Sequence, residues 1–527
     1  EDCFAFAKAK QSLSSFLKIY FMKKILFLSI VFISTAVFAQ KVDYKALDKY
    51  ISQTQKDWNI PGLSVGIVKD GKIVFEKGYG QMDVNKKQQP DEHTLYAIAS
   101  NTKAFTAAIM AQLVEEGKVN WKDNVQDHLP YFELYDPAIS RLVTIEDLLS
   151  HNVGLGTFSG DVIWYKSELS TEEVVKRIKF VPQAYGFRDG YGYSNLMFIT
   201  AGALIEKVTG KSFKENVTER FLNPLEMDDT VVSIQDFGNN TNVATPHAMD
   251  ADNKNYAIPW VGWDNVQSTG GIISSVHDMS KWMILNMNHG VKDQDTLFSN
   301  YSRNNMWNLH NSFGVNQVNR NATGSQYAGY GLGWFLGDYY GNFRVRHGGG
   351  YDGMISTVQM LPDENLGVVV LTNGVKAPTN AIAYYILDRF LNRGKKDWSK
   401  EMLESYDTWK ASDTRIEERK AKQIKGTQPI LKKDAILGAY HADIYGDFEV
   451  VEVNGTLQLI WEHTPLLNSS LKHFNYDSYE IQWEEPQAWF SFGTIKFESD
   501  AYGKVTGITF DIPNDDFFFD EMNALKK

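Results

Sequence analysis

The chain has 527 residues, 53 Lys+Arg against 65 Asp+Glu for a formal net charge of −12, and one cysteine, Cys3. At 43% apolar and 22% charged residues it reads as a globular protein of two or three domains, which excludes collagen-like, coiled-coil and mostly disordered architectures. The acidic balance argues against a broad nucleic-acid or anionic-membrane surface, and a lone thiol excludes an intrachain disulfide framework or a Cys-ligated zinc.

At the front, Met22-Lys23-Lys24 precedes an apolar run over 25–38 that ends in Val37-Phe38-Ala39. A basic start, a short apolar core and small residues at −3 and −1 are the parts of a secretory signal peptide, here 22–39 with cleavage after Ala39. The run is too short for a membrane span. The expectation is a periplasmic or secreted protein with no stable membrane anchor after cleavage. Residues 1–39 are therefore leader and signal. Loss of the leader removes Cys3, so a thiol mechanism is excluded.

Further on, runs at 63–68 and 73–75 flank Lys69-Asp70-Gly71-Lys72, a hairpin signal. Residues 102–116 show near-helical apolar spacing at Phe105, Ile109, Met110 and Leu113, with Gly117 as a stop. Segments 144–150 and 194–209 also read as helices, and 120–290 is mainly helical. Strand patterns return at 343–346, 355–360 and 366–371, and an amphipathic helix follows over 381–391. A sheet built from the two ends of this region, with a helical insertion between, gives an α/β domain over 40–395. Residues 396–434 mix both charge signs and read as a solvated helical linker. From 435 to 527, short strands at 448–453, 456–461, 479–483, 489–492, 494–498 and 505–510 suggest a small antiparallel barrel or sandwich. Scaffold, lid or partner surface is the default role for that domain.

Ser100-Asn101-Thr102-Lys103 has Ser-x-x-Lys spacing, which also occurs at Ser15/Lys18 and Ser469/Lys472. Only Ser100 opens a long helical pattern, where i and i+3 share a face and Lys103 can reach back to the hydroxyl. A serine becomes nucleophilic only when a nearby base takes its proton, and a lysine can be that base when burial or charge lowers its pKa. The bland reading is an N-cap serine beside a surface lysine. Tyr193-Ser194-Asn195 precedes an apolar helical run, although Tyr-x-Asn recurs at Tyr340-Gly341-Asn342. Arg346-His347-Gly348-Gly349-Gly350 ends a strand pattern, and its glycines would admit a substrate backbone. By itself His347 reads as a structural histidine.

In this order the three motifs, about 90 and then 150 residues apart, resemble the serine β-lactamase and penicillin-binding-protein superfamily, nearest its class C-like branch. The stretches 96–106, 148–155 and 270–275 are similar to that branch beyond the motifs. The tail from 435 resembles the lipocalin-like domain often appended to such hydrolases. The resemblance implies an α+β fold, an antiparallel sheet flanked by helices with an all-helical subdomain, followed by the barrel. It also implies an acyl-transfer site that needs no metal or other cofactor. Ser100 would be the nucleophile and Lys103 the base, or the group holding Tyr193 in its reactive state. Tyr193 would shuttle the proton, and Asn195 would bind the substrate's amide side. The N–H groups of Ser100 and Gly350 would form the oxyanion hole. His347-Gly348-Gly349 stands where penicillin-recognising members carry Lys-Thr-Gly. A neutral histidine would attract a substrate carboxylate weakly and with pH dependence, which favours a peptidase or esterase over β-lactam hydrolysis. The implied partner is a small peptide, amide or ester. The alternative is a catalytically idle domain that binds or senses cell-wall peptides.

Overall fold

Asp70 and Gly71 both take positive φ, 53° and 71°, the twist a two-residue hairpin needs. They join strands Gly62–Lys69 and Lys72–Gly80. The structure is a computed structural model that describes residues 42–394 and 396–527. The expected signal segment 22–39 and its cleavage point lie outside the described residues.

That hairpin forms one edge of an eight-stranded sheet. Gly62–Lys69 pairs with Leu366–Thr372, in the register Leu63 opposite Thr372, so the chain's early and late segments meet as expected. The order continues through Met354–Leu361, Asn342–Tyr351, Phe335–Tyr339, Ala328–Tyr330 and Asn311–Phe313, antiparallel throughout. The last three strands carry no clear alternating pattern, and the sequence reading had missed them. Leu63, Val65 and Ile67 point to one face with Val368 and Val370, the period-two alternation of a sheet covered on both sides. Helices Tyr44–Asp57 and Thr379–Phe390 cover that face, and Val276–Met287 packs on the other through Ser280 beside Gly66 and Met283 beside Gly367.

The helical insertion holds Thr102–Glu115 at its centre. Thr102 through Leu113 are all buried, so this helix is enclosed on every side rather than amphipathic. Its alanines at 104, 107, 108 and 111 allow close approach, and Gly333 lies where a Cβ would be 2.7 Å from the Lys103 carbonyl.

The expected linker divides. Trp398 begins helix Trp398–Ser412 and is buried against the sheet's helical cover, its Nε1 donating to Asp388 at 2.7 Å. The next helix, Arg415–Ala421, is exposed and reaches the C-terminal domain through Arg415–Asp515 and Arg419–Asp511 ion pairs, both 2.8 Å.

That domain is a closed antiparallel barrel of eight strands. Closure comes from Gly438–Ala442 pairing with Ala524–Lys526, two short strands the sequence reading had missed together with Ser469–Asn475. The strand expected at 489–492 is instead a loop, because Trp489 leaves the barrel to meet the other domain. Phe448, Trp461, Phe510 and Phe519 pack inside, tilted or edge-on, with neighbouring rings 5.1 to 6.5 Å apart, so aromatic side chains fill the interior.

Candidate active site

Ser100 lies in a 3₁₀ turn, Ala99–Asn101, that runs directly into Thr102–Glu115. Ala99 is held at φ 48°, a left-handed conformation that costs an alanine about 1 kcal/mol or more. Its surroundings maintain it. Asn101 Nδ2 donates to Ser356 Oγ at 2.9 Å, and that hydroxyl donates to the Ile98 carbonyl at 2.7 Å. The turn presses onto strand Asn342–Tyr351 so closely that a Cβ on Gly349 would sit 2.2 Å from the Ile98 oxygen. Glycine at 349 is thus required by the position of the Ser100 turn. Ser100 remains partly exposed while its neighbours are buried.

Lys103 is completely buried. Its Nζ lies 2.7 Å from Asn195 Oδ1, 2.8 Å from the Thr269 carbonyl and 3.1 Å from Ser100 Oγ. Burial drives its pKa well below the ordinary lysine value, opposed by the Asp161 carboxyl, which favours the neutral amine. A neutral amine has two N–H groups and one lone pair. The two oxygens at Asn195 and Thr269 can only accept, so they take the two protons and the lone pair faces the serine hydroxyl.

The Tyr193 hydroxyl faces Ser100, which partly offsets the upward push of burial on the phenol. It forms no hydrogen bond of good geometry. Lys103 Nζ is 4.9 Å from the Tyr193 ring centre, so the three expected reacting groups converge. Asn195 opens helix Asn195–Thr209 and holds Lys103 through Oδ1. Its Nδ2 donates to Asp161 at 2.6 Å, and Asp161 also accepts from Trp164 Nε1 at 2.8 Å. Burial raises the Asp161 pKa to about 8. The sequence reading assigned no role to Asp161, Thr269 or His151. His151 Nδ1 accepts the Ser194 N–H at 3.1 Å and so fixes the Tyr193–Asn195 turn. The motif stretches 148–155 and 270–275 contain or adjoin two of these three.

His347 lines the cleft with Gly348, Gly349 and Gly350. Strand Phe335–Tyr339 pairs with its neighbour only as far as Arg346, which leaves the 347–350 edge open toward Ser100. His347 is engaged on both ring nitrogens. Its Nδ1 binds the Gly348 carbonyl at 2.6 Å, Nε2 takes the Tyr330 hydroxyl at 2.8 Å, and burial beside Lys103 lowers its pKa to about 3.

The cleft encloses about 600 Å³. Trp164 and Trp263 line it. Tyr165, Trp260 and Tyr351 are engaged elsewhere, with Asp352, the Ala244 carbonyl and Val261. The barrel supplies a wall that no local motif announces, made of Trp489, Asp516 and Phe517. Glu521 of the barrel accepts from the Gly160 N–H at 2.7 Å and from the Ser159 hydroxyl, next to Asp161.

A family model described as Beta-lactamase matches residues 47–391, and one described as a domain of unknown function (DUF3471) matches 422–526. Unguisins hydrolase ungD' of Aspergillus campestris is 31% identical over 66% of this chain and 66% of its own length. Protein flp of Staphylococcus aureus strain N315 is 29% identical over 62% of each. The chain thus spans about two thirds or less of the length of these curated relatives. The octameric penicillin-binding protein homologue from Pyrococcus abyssi shares the fold across 92% of this chain and 100% of its own, with TM-score 0.59 and 21% identity. With a matched model over most of its length and this fold around Ser100, the chain belongs to the Beta-lactamase family, within the serine β-lactamase-related superfamily.

Proposed function

We propose that the protein is an exported serine hydrolase that cleaves a peptide, amide or ester through an acyl-enzyme. The observation that carries this reading is the buried amine of Lys103, 3.1 Å from Ser100 Oγ with both its N–H groups committed elsewhere. Ser100 Oγ attacks the substrate carbonyl carbon as its proton passes to the Lys103 lone pair. The N–H groups of Ser100 and Gly350 receive the oxyanion, an interaction often worth several kcal/mol in such sites. Tyr193 gives its proton to the leaving group and is reprotonated from Lys103. Water then attacks the ester carbonyl, its proton following the same groups in reverse. Asn195 keeps Lys103 aligned, and the second N–H of its Nδ2, the first being given to Asp161, is left for the substrate's amide side.

A neutral His347 offers no fixed charge for a substrate carboxylate, which supports peptidase or esterase chemistry over β-lactam hydrolysis. The test is labelling of the purified protein by a fluorophosphonate probe, with turnover of p-nitrophenyl esters, amino-acid amides and a chromogenic cephalosporin. Ser100→Ala is expected to abolish both labelling and turnover. Undiminished labelling of that variant overturns the assignment.

A further inference from the structure

The barrel's contribution to the cleft contains a carboxylate that the protein leaves unused. Asp516 is half-buried and lines the same cavity as Ser100. Its acidic neighbours are paired, Asp515 with Arg415 and Asp511 with Arg419, yet among the described residues no protein donor reaches the Asp516 carboxylate. Asn514 holds the turn that carries it. Asn514 Oδ1 accepts the N–H groups of Asp516 and Phe517 at 3.0 and 2.6 Å, and Asn514 Nδ2 donates to the carbonyls of Ile512 and Phe517 at 2.9 and 2.8 Å. Such a turn fixes the backbone that presents Asp516 to the cleft before a ligand arrives.

The surrounding surface is aromatic. Trp164 packs edge-on to Trp263 at 5.2 Å and to Phe517 at 6.1 Å, and Trp489 lies where a Cβ on Gly350 would come within 3.0 Å of its ring. A carboxylate among aromatic faces is a setting that attracts an organic cation through charge and through the ring quadrupoles. The cleft is also polarised. Arg346 lines its opposite end, stacked 5.0 Å from the Phe335 ring centre. It stands four residues before Gly350 on an extended strand, about 13 Å away. A cation is repelled at that end and drawn to this one. Burial raises the Asp516 pKa to about 6, so the group is mostly ionised at neutral pH, and a half-buried carboxylate without a partner is better satisfied by a bound cation.

We propose that Asp516, carried into the cleft by the barrel, receives an ammonium group of the substrate, so that the barrel helps select what Ser100 acylates. This rests on the hydrolase reading above. The test compares two p-nitrophenyl esters of the same shape on the full-length protein. One ends in a trimethylammonium group and the other in its uncharged tert-butyl counterpart. The expected result is a kcat/KM ratio of about tenfold in favour of the cation. That ratio falls toward one in Asp516→Asn and is retained in Asp515→Asn, which removes the same charge outside the cleft. Trp489→Leu, which removes an aromatic wall, lowers the ratio as well. Equal rates for the two esters in the unaltered protein, or a ratio that Asp516→Asn leaves intact, overturn the proposal.

A second measurement does not depend on turnover. Binding of benzyltrimethylammonium, read by calorimetry, should weaken about tenfold in Asp516→Asn, and unchanged affinity also overturns the proposal. Should Ser100 fail to react with the fluorophosphonate while this Asp516-dependent binding persists, the hydrolase reading falls and the ammonium site stands.

Discussion

Glu521 belongs to the barrel, yet its carboxylate is bonded to the loop that carries Asp161. Oε2 accepts the buried Gly160 N–H at 2.7 Å and Oε1 accepts the Ser159 hydroxyl. From there the chain of contacts runs through Asp161 to Asn195 and on to Lys103. Glu521→Ala removes two hydrogen bonds to a charged acceptor and leaves the Gly160 N–H unpaired. Hydrogen bonds to charged groups contribute about 1.5 to 3 kcal/mol each in a protein interior. Glu521 is partly exposed, so a total of about 2 kcal/mol is the better measure. If all of that is expressed as loss of the competent loop position, kcat/KM falls by about thirtyfold. Glu521→Gln separates geometry from charge. Its carbonyl can still accept from Gly160 and its amide can donate to the Ser159 oxygen, so a loss of no more than about threefold is expected. The assay is kcat/KM on an uncharged p-nitrophenyl ester, with circular dichroism to confirm that the barrel is folded. Wild-type rates in Glu521→Ala, or equal losses in the alanine and glutamine variants with the barrel intact, would refute the claim that the barrel positions the catalytic amide.

Two predictions concern protons. Lys103 acts as a base only when neutral, and burial lowers its pKa well below the lysine value of 10.5. The kcat/KM profile should therefore rise with pH to a plateau reached before that value, and a profile still climbing through the ordinary lysine range would contradict a buried neutral base. His347, held at about 3 in the fold against about 6.5 when unfolded, resists protonation. The unfolded state then binds more protons at acid pH. Stability is full above about pH 6.5 and is lost as pH falls toward 3, by at most about 1.4 kcal/mol per unit. Glutamine at 347 can donate to the Gly348 carbonyl and accept from Tyr330 without titrating. His347→Gln should therefore flatten this acid loss in denaturant melts taken between pH 4 and 7, and an unchanged slope would place the linkage elsewhere.

That these side chains come together was legible because their spacing is local: Ser100 and Lys103 are one turn apart, and Tyr193 and Asn195 are two residues apart. The hairpin at Asp70-Gly71 was legible for a similar reason, since positive φ at both positions is written in the residue types. What escaped was set by tertiary packing. The helix behind Ser100 looked amphipathic because its spacing records only one of the faces it buries. The run at 489–492 looked like a strand because Trp489, Phe490 and Phe492 are apolar, yet Trp489 serves an interface between domains. No local motif marks Asp161 or Asp516. Their meaning comes from enclosure: one is sealed between Trp164 and Asn195, and the other is placed in the cleft by a turn more than 400 residues downstream of Ser100. Enclosure also bears on how His347 could meet a substrate. A histidine at that point of the strand is in reach of a substrate, but it is buried, and protonation there would set its charge beside Arg346 and the Lys103 amine. The fold keeps the imidazole neutral, and any fixed charge that recognises substrate must come from elsewhere in the cleft, which is where the barrel's carboxylate stands.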